Sequence, residues 1–191
     1  MLTTLAKKLT AVLLVLFCAV AGFFTFAMII TTRLHNQEAN QRFHSSLAAH
    51  IARDEGIVAA GAVDEDKAKE LFHMLMVVNP HIELYLLDKA GKILSYSAPP
   101  GKVRRTAVDL EPVRRFLAGD MNYPIFGDDP RNPAGRKIFS AAELPGGEEG
   151  GGYLYVILAG EEYESMTTLL QGSYILRLSL IVVGGGLFFA L

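Results

Sequence analysis

Half of the 191 residues are hydrophobic (51%), more than a core of this size needs, and the excess lies at the two ends of the chain. The formal charge of −2 points to no partner class. All 20 acidic residues lie between Arg33 and Ser173, and that acidic middle excludes a nucleic-acid footprint. A single cysteine, Cys18, excludes any disulfide within the chain and reads as a small buried hydrophobe.

Taken in chain order, residues 1–8 form a cytoplasmic N-terminus. Leu9–Thr32 runs without a charge for about 24 residues, or ~36 Å of helix, enough to cross a hydrocarbon core of ~30 Å. Lys7 and Lys8 place the N-terminus on the cytoplasmic side. The run exceeds a signal-peptide core and no small-x-small cleavage site follows it. Ala39, Phe43, Leu47 and Ile51 then recur every four residues, which predicts one apolar helical stripe that frays near Gly56. The stripe would pack on the domain's own sheet, on a partner copy in a parallel homodimer, or on both.

A second helix is expected over "EDKAKELFHMLMVV", capped by Asp64 and stopped by Pro80. The period then changes to two. His81–Leu87 and Ile93–Ser97 read as strands around the turn "DKAGK", in which Gly91 takes a positive φ. Pro99, Pro100 and Gly101 break the chain. Asp109 caps a short helix, "LEPVRRFLA", which Gly119 closes. A third strand is expected near Tyr123–Phe126, and two paired strands at Arg136–Leu144 and Gly152–Gly160, joined by the exposed tip "PGGEEGG". "EEYESMTTLLQGSY" reads as a helix entering the last apolar run, Tyr174–Leu191. About 14 apolar residues follow Arg177, ~21 Å of helix, so this run reads as a second membrane helix cut before its cytoplasmic end. Gly184, Gly185 and Gly186 suit a membrane helix better than a soluble one. The fold class is α+β: a central antiparallel sheet with helices on one side, residues 33–173 lying outside the membrane between two spans.

"LYLLDKAGKILSYSAPP", "VDLEPVRRFLAG", "YPIFGDDPR", "KIFSAAEL" and "GGYLYVILAGEEYESM" together resemble the extracytoplasmic PAS-like (Cache or PDC type) sensor region of bacterial two-pass sensor histidine kinases. The resemblance covers essentially the whole chain. It implies an inner-membrane, multi-pass protein with a periplasmic sensor domain, a periplasmic ligand or partner, and a parallel homodimer in membrane lipid. It also implies a cytoplasmic kinase module that is absent here. ATP, Mg and a cognate response regulator would belong to that module, and this chain itself needs no cofactor. Other outputs in the same layout are a diguanylate cyclase or a chemoreceptor signalling rod. A membrane-tethered binding protein that does not signal, and an external enzyme, are readings of another class.

No catalytic or metal-ligating pattern stands out. His35, His44 and His50 are spaced to different helical faces, His73 and His81 straddle Pro80, and no HxxxH or HExxH occurs. Ser95, Ser97 and Ser140 lack a nucleophile motif, and Gly146–Gly152 lacks the Lys and Ser/Thr of a phosphate loop. The candidate ligand-binding residues are Tyr85, Tyr96, Arg104, Arg105, Asp128, Arg131, Lys137 and Phe139. "GDDPR" would cap a turn, with Arg131 paired to one of its aspartates or reaching the concave face of the sheet. Arg104 and Arg105, with Arg114 and Arg115, form a basic segment that reads as a solvated face or as a clamp for a carboxylate. Tyr85, Tyr96 and Phe139 are strand aromatics, core before pocket wall.

Overall fold

The computed structural model describes residues 2–54, 58–59, 62–63, 65–79, 82–96, 98, 101–145 and 151–158, together with 177 and 181. The expected second membrane span, but for residues 177 and 181, the helix expected to lead into it, most of the glycine-rich tip, and the Asp64 and Pro80 helix signals lie outside the described residues. The chain divides into two compact units, Met1–His35 with Ser165–Leu191, and Asn36–Glu164.

The first element, α1 (Leu2–Phe43), is a helix of 42 residues. Its N-terminal part is long and apolar enough to cross a membrane, and none of that stretch is buried. Leu9, Val12, Leu16 and Phe23 are exposed. Cys18, expected to be buried, is exposed with them. Large apolar side chains exposed along a helix of this length suit a hydrocarbon core.

In the second unit the stripe is interrupted. α1 ends at Phe43, a turn takes His44, Ser45 and Ser46, and α2 (Leu47–Asp54) follows. Ser140 holds this joint: its Oγ donates to Ser45 O (2.8 Å) and accepts from Ala48 N (3.1 Å). The turn resets the helical phase, so Ala48 and Ile51 are buried whereas Phe43, expected on the same stripe, is 84% exposed.

Two short strands come next, β1 (Val58–Ala59) and β2 (Ala62–Val63), paired with each other. The helix α3 (Glu65–Val78) fills the predicted segment. The sheet is built from β3 (Glu83–Asp88), β4 (Ile93–Tyr96), β5 (Phe126–Asp128), β6 (Arg136–Leu144) and β7 (Gly152–Ile157), in the order β4-β3-β7-β6-β5. Every pairing is antiparallel. The third strand forms three residues later than its apolar residues suggested. Ile125 instead bonds through its N–H and its C=O to Gln41, which leaves Phe126–Asp128 to pair with β6.

The β3–β4 turn follows the sequence closely. Asp88 Oδ1 accepts from the N–H groups of Ala90 and Lys92, both at 2.8 Å, and Gly91 has φ +87°. The short helix α4 (Leu110–Leu117) is capped by Asp109, whose carboxylate accepts from Glu111 N at 3.0 Å, and Gly119 closes it at φ +81°.

Both faces of the sheet are covered, against the expectation of helices on one side. Alternation sends Leu84, Leu86, Ile138, Leu154 and Val156 to one face, where α2 and α3 bring Ala48, Ile51, Ala68 and Phe72. Tyr85, Leu87, Phe139, Tyr155 and Ile157 take the other face, under Val113 and Phe116 of α4. Eight-residue α4 is amphipathic enough to form such a lid: Leu110, Pro112, Val113 and Phe116 are buried, while Arg114 and Arg115 are exposed.

Candidate functional site

The face beneath α4 carries charge as well as aromatic rings. Strand alternation puts Glu83 beside Tyr85 on β3 and Lys137 beside Phe139 on β6, and the loop after β5 adds Asp129 and Arg131. Glu83 Oε2 accepts from the Tyr85 hydroxyl at 2.7 Å and faces Arg131 Nε at 3.1 Å. Glu83 Oε1 lies 3.6 Å from Lys137 Nζ, which lies 3.3 Å from Asp129 Oδ2. The side chains of Glu83, Asp129, Lys137 and Arg131 are 2%, 5%, 5% and 11% exposed. Two formal carboxylates thus face two formal cations out of water. Burying such ions is costly unless they neutralise one another, and these four do.

The loop that supplies Asp129 and Arg131 is fixed by short-range bonds. Asp129 Oδ1 accepts from Arg131 N (2.9 Å), Asp129 N donates to Gly135 O (3.1 Å), and Gly135 N donates to Asn132 O (2.9 Å). "GDDPR" therefore caps a turn as expected. The guanidinium, however, pairs with Glu83, since the carboxylate of Asp129 divides its oxygens between the Arg131 backbone and Lys137.

A second pair borders the first. Arg105 donates to Asp128 Oδ2 at 3.0 Å and also to Pro133 O, and the same carboxylate oxygen accepts from Asp109 N at 3.1 Å. The N–H groups of Arg104 and Arg105 both donate to Pro130 O. The segment before α4 is in this way stapled to the β5–β6 loop. Gly127 allows the close approach beneath it: a Cβ there would stand 2.3 Å from the Tyr155 hydroxyl, which donates to Asp128 O at 2.9 Å.

Of the eight residues singled out, seven meet on this face or at its border. Tyr85 lies near the rings of Tyr96 (6.4 Å) and Tyr155 (6.5 Å), and Phe139 stacks obliquely on Tyr155 at 4.9 Å. Arg104 is the exception; its side chain is exposed. Arg115 pairs with Asp120 at 2.6 Å on the surface. The Asn122 backbone N–H, with Arg115, holds the Asp120 carboxyl below its ordinary range. Glu83, Asp129 and Gln41 were not anticipated as site residues. Glu83 had a signal, an acid inside the apolar strand "HIELYLL", which requires a buried partner. Gln41 had none: it donates to Ile125 O and Phe139 O, both at 2.9 Å and both far away in sequence.

Burial pushes the Tyr85 hydroxyl far above its ordinary value, and the neighbouring Glu83 adds to the shift. Tyr155 is raised for the same first reason, then by Asp128. Both phenols stay protonated in the folded domain while the unfolded chain ionises at about pH 10. The unfolded state therefore binds fewer protons above that pH, and stability falls as pH rises, by about 1.4 kcal/mol per pH unit for each tyrosine. Denaturant titration across that range is expected to show this fall, with Tyr155→Phe removing one proton from the slope. A slope unchanged in the variant would contradict the assignment.

Among the described residues no cluster of three His, Cys, Asp or Glu is placed to hold a metal ion. The arrangement is that of a neutralised ionic network over an aromatic floor, suited to holding segments together. Comparison with protein-family models, curated proteins and solved structures finds no match to this chain.

Proposed function

We propose that the chain is the signal-input region of a transmembrane receptor, its PAS-like sensor domain (residues 33–173) standing across the membrane from Met1. The observation that carries the reading is α1: an apolar helix with exposed large side chains, long enough to span a bilayer, that runs to Phe43 and is hydrogen-bonded through Gln41 to a mixed α+β domain. The five-stranded antiparallel sheet and its Asp88–Gly91 turn support the PAS-like reading. The resemblance makes a histidine kinase of the bacterial inner membrane the output, with a diguanylate cyclase or chemoreceptor rod as the alternative.

In this mechanism a periplasmic small molecule or partner binds one arrangement of the domain better than another, at the face of Tyr85, Tyr96, Arg131, Lys137 and Phe139. A second membrane helix at Tyr174–Leu191 carries the shift inward. Such an input moves the equilibrium only by its differential affinity, typically about 1–3 kcal/mol. Gln41 and Ser140, which tie the end of α1 and the start of α2 to the sheet, are where the first helix would feel the change.

The test is a chimera of residues 1–191 with a kinase output module. Gln41→Ala is expected to shift its basal output several-fold, by about 1 kcal/mol of altered coupling. A chimera whose output ignores both Gln41→Ala and Ser140→Ala would contradict transmission through this joint.

A further inference from the structure

We propose that Tyr85, Arg131 and Lys137 form a carboxylate-binding site whose ligand is the chain's own Glu83, and that Glu83 thereby closes this face to anions from outside. One hydroxyl and two cations from three separate segments surround one carboxylate: the Tyr85 hydroxyl of β3 donates at 2.7 Å, and the guanidinium of the β5–β6 loop and the ammonium of β6 pair with it at 3.1 and 3.6 Å. A free acid would be held by the same groups, whereas the clamp expected from the sequence lay in the basic segment of Arg104 and Arg105 with Arg114 and Arg115. Both clamps in the structure are filled from within, Arg131 by Glu83 and Arg105 by Asp128.

The filling is tight in charge and loose in bonding. Two acids balance two cations, yet Glu83 Oε1 and Lys137 Nζ are buried without a hydrogen-bond partner among the described residues. An outside carboxylate would add a third negative charge beside Asp129 in a region of low dielectric, or would have to expel Glu83 first; both are unfavourable. Glu83 is thus a specificity-determining residue, and it leaves non-anionic molecules or a protein surface as inputs at this face. Absence of rescue would leave the receptor reading intact.

Chemical rescue tests it on the full chain in detergent. Glu83→Ala removes the carboxylate and leaves space of about its size beside Arg131 and Lys137. Sodium acetate is expected to raise the thermal midpoint of this variant above that in sodium chloride of equal ionic strength. At about ten times its Kd the rise would be roughly 4 °C. Wild-type chain and Glu83→Asp, which keeps the charge, are expected to respond equally to the two salts. Should Glu83→Ala not fold in chloride, refolding in acetate alone supports the site, whereas failure in both salts overturns it. Equal responses of Glu83→Ala to acetate and chloride, or an acetate shift as large in wild type, would also overturn it.

Discussion

Replacing Lys137 by methionine is expected to destabilise the domain by about 3–5 kcal/mol, the largest effect of any single change at the site. The ammonium stands between Glu83 and Asp129, at 3.6 and 3.3 Å, with its side chain 5% exposed. Methionine fills a similar volume, so the loss comes from charge and not from a cavity. Two acids would then share one guanidinium in a place that water does not reach. The double variant Lys137→Met with Glu83→Gln is expected to be less damaged than the sum of its parts, because the uncompensated charge goes too. Denaturant midpoints of the four chains check this. A loss of less than about 1 kcal/mol for Lys137→Met would mean that the network is hydrated and behaves as a surface pair.

Gly91→Ala is expected to cost roughly 3 kcal/mol, for two independent reasons. At φ +87° an alanine takes a conformation that its Cβ disfavours. That Cβ would also stand 2.3 Å from Val108 O, a backbone atom held in place because Val108 N donates to Gly91 O at 2.8 Å. The turn and the segment leading into α4 cannot both stay where they are, so the lid over the aromatic face loosens with the turn. A variant with wild-type stability would contradict the close approach. Gly101 provides the contrast: its φ is +78°, yet among the described residues nothing lies within 4 Å of its missing Cβ, so Gly101→Ala is left with the conformational penalty.

The sequence announces the Gly91 turn far more clearly than the partners of Lys137. The Gly91 turn and the Asp109 cap were legible because each is decided by neighbours a few residues away: a carboxylate reaching N–H groups two and four positions on, or a side chain accepting from the first helical turn. The break between α1 and α2 was not legible, since a period-four stripe runs through it and the residue that fixes the turn, Ser140, is far away on β6. The same holds for the lid. A short amphipathic helix does not declare which face of a sheet it will cover, and α4 covers the one opposite α2 and α3.

The site was half legible. Arginines and aromatics drew the reading to this face, and the aromatic alternation is what the strands deliver. The acids that neutralise the arginines were harder to see, because a sequence shows which residues carry charge and not which charge ends beside which. Asp129 read as a turn cap and is one, while its other oxygen serves Lys137.

The membrane layout is the claim on which the receptor reading depends. With Cys18 replaced by alanine, a single cysteine at exposed Met121 can be labelled by a membrane-impermeant maleimide in intact spheroplasts. Full labelling without lysis is expected, with the sheet domain outside. Labelling that appears only after the membrane is permeabilised would put the domain on the cytoplasmic side and contradict it.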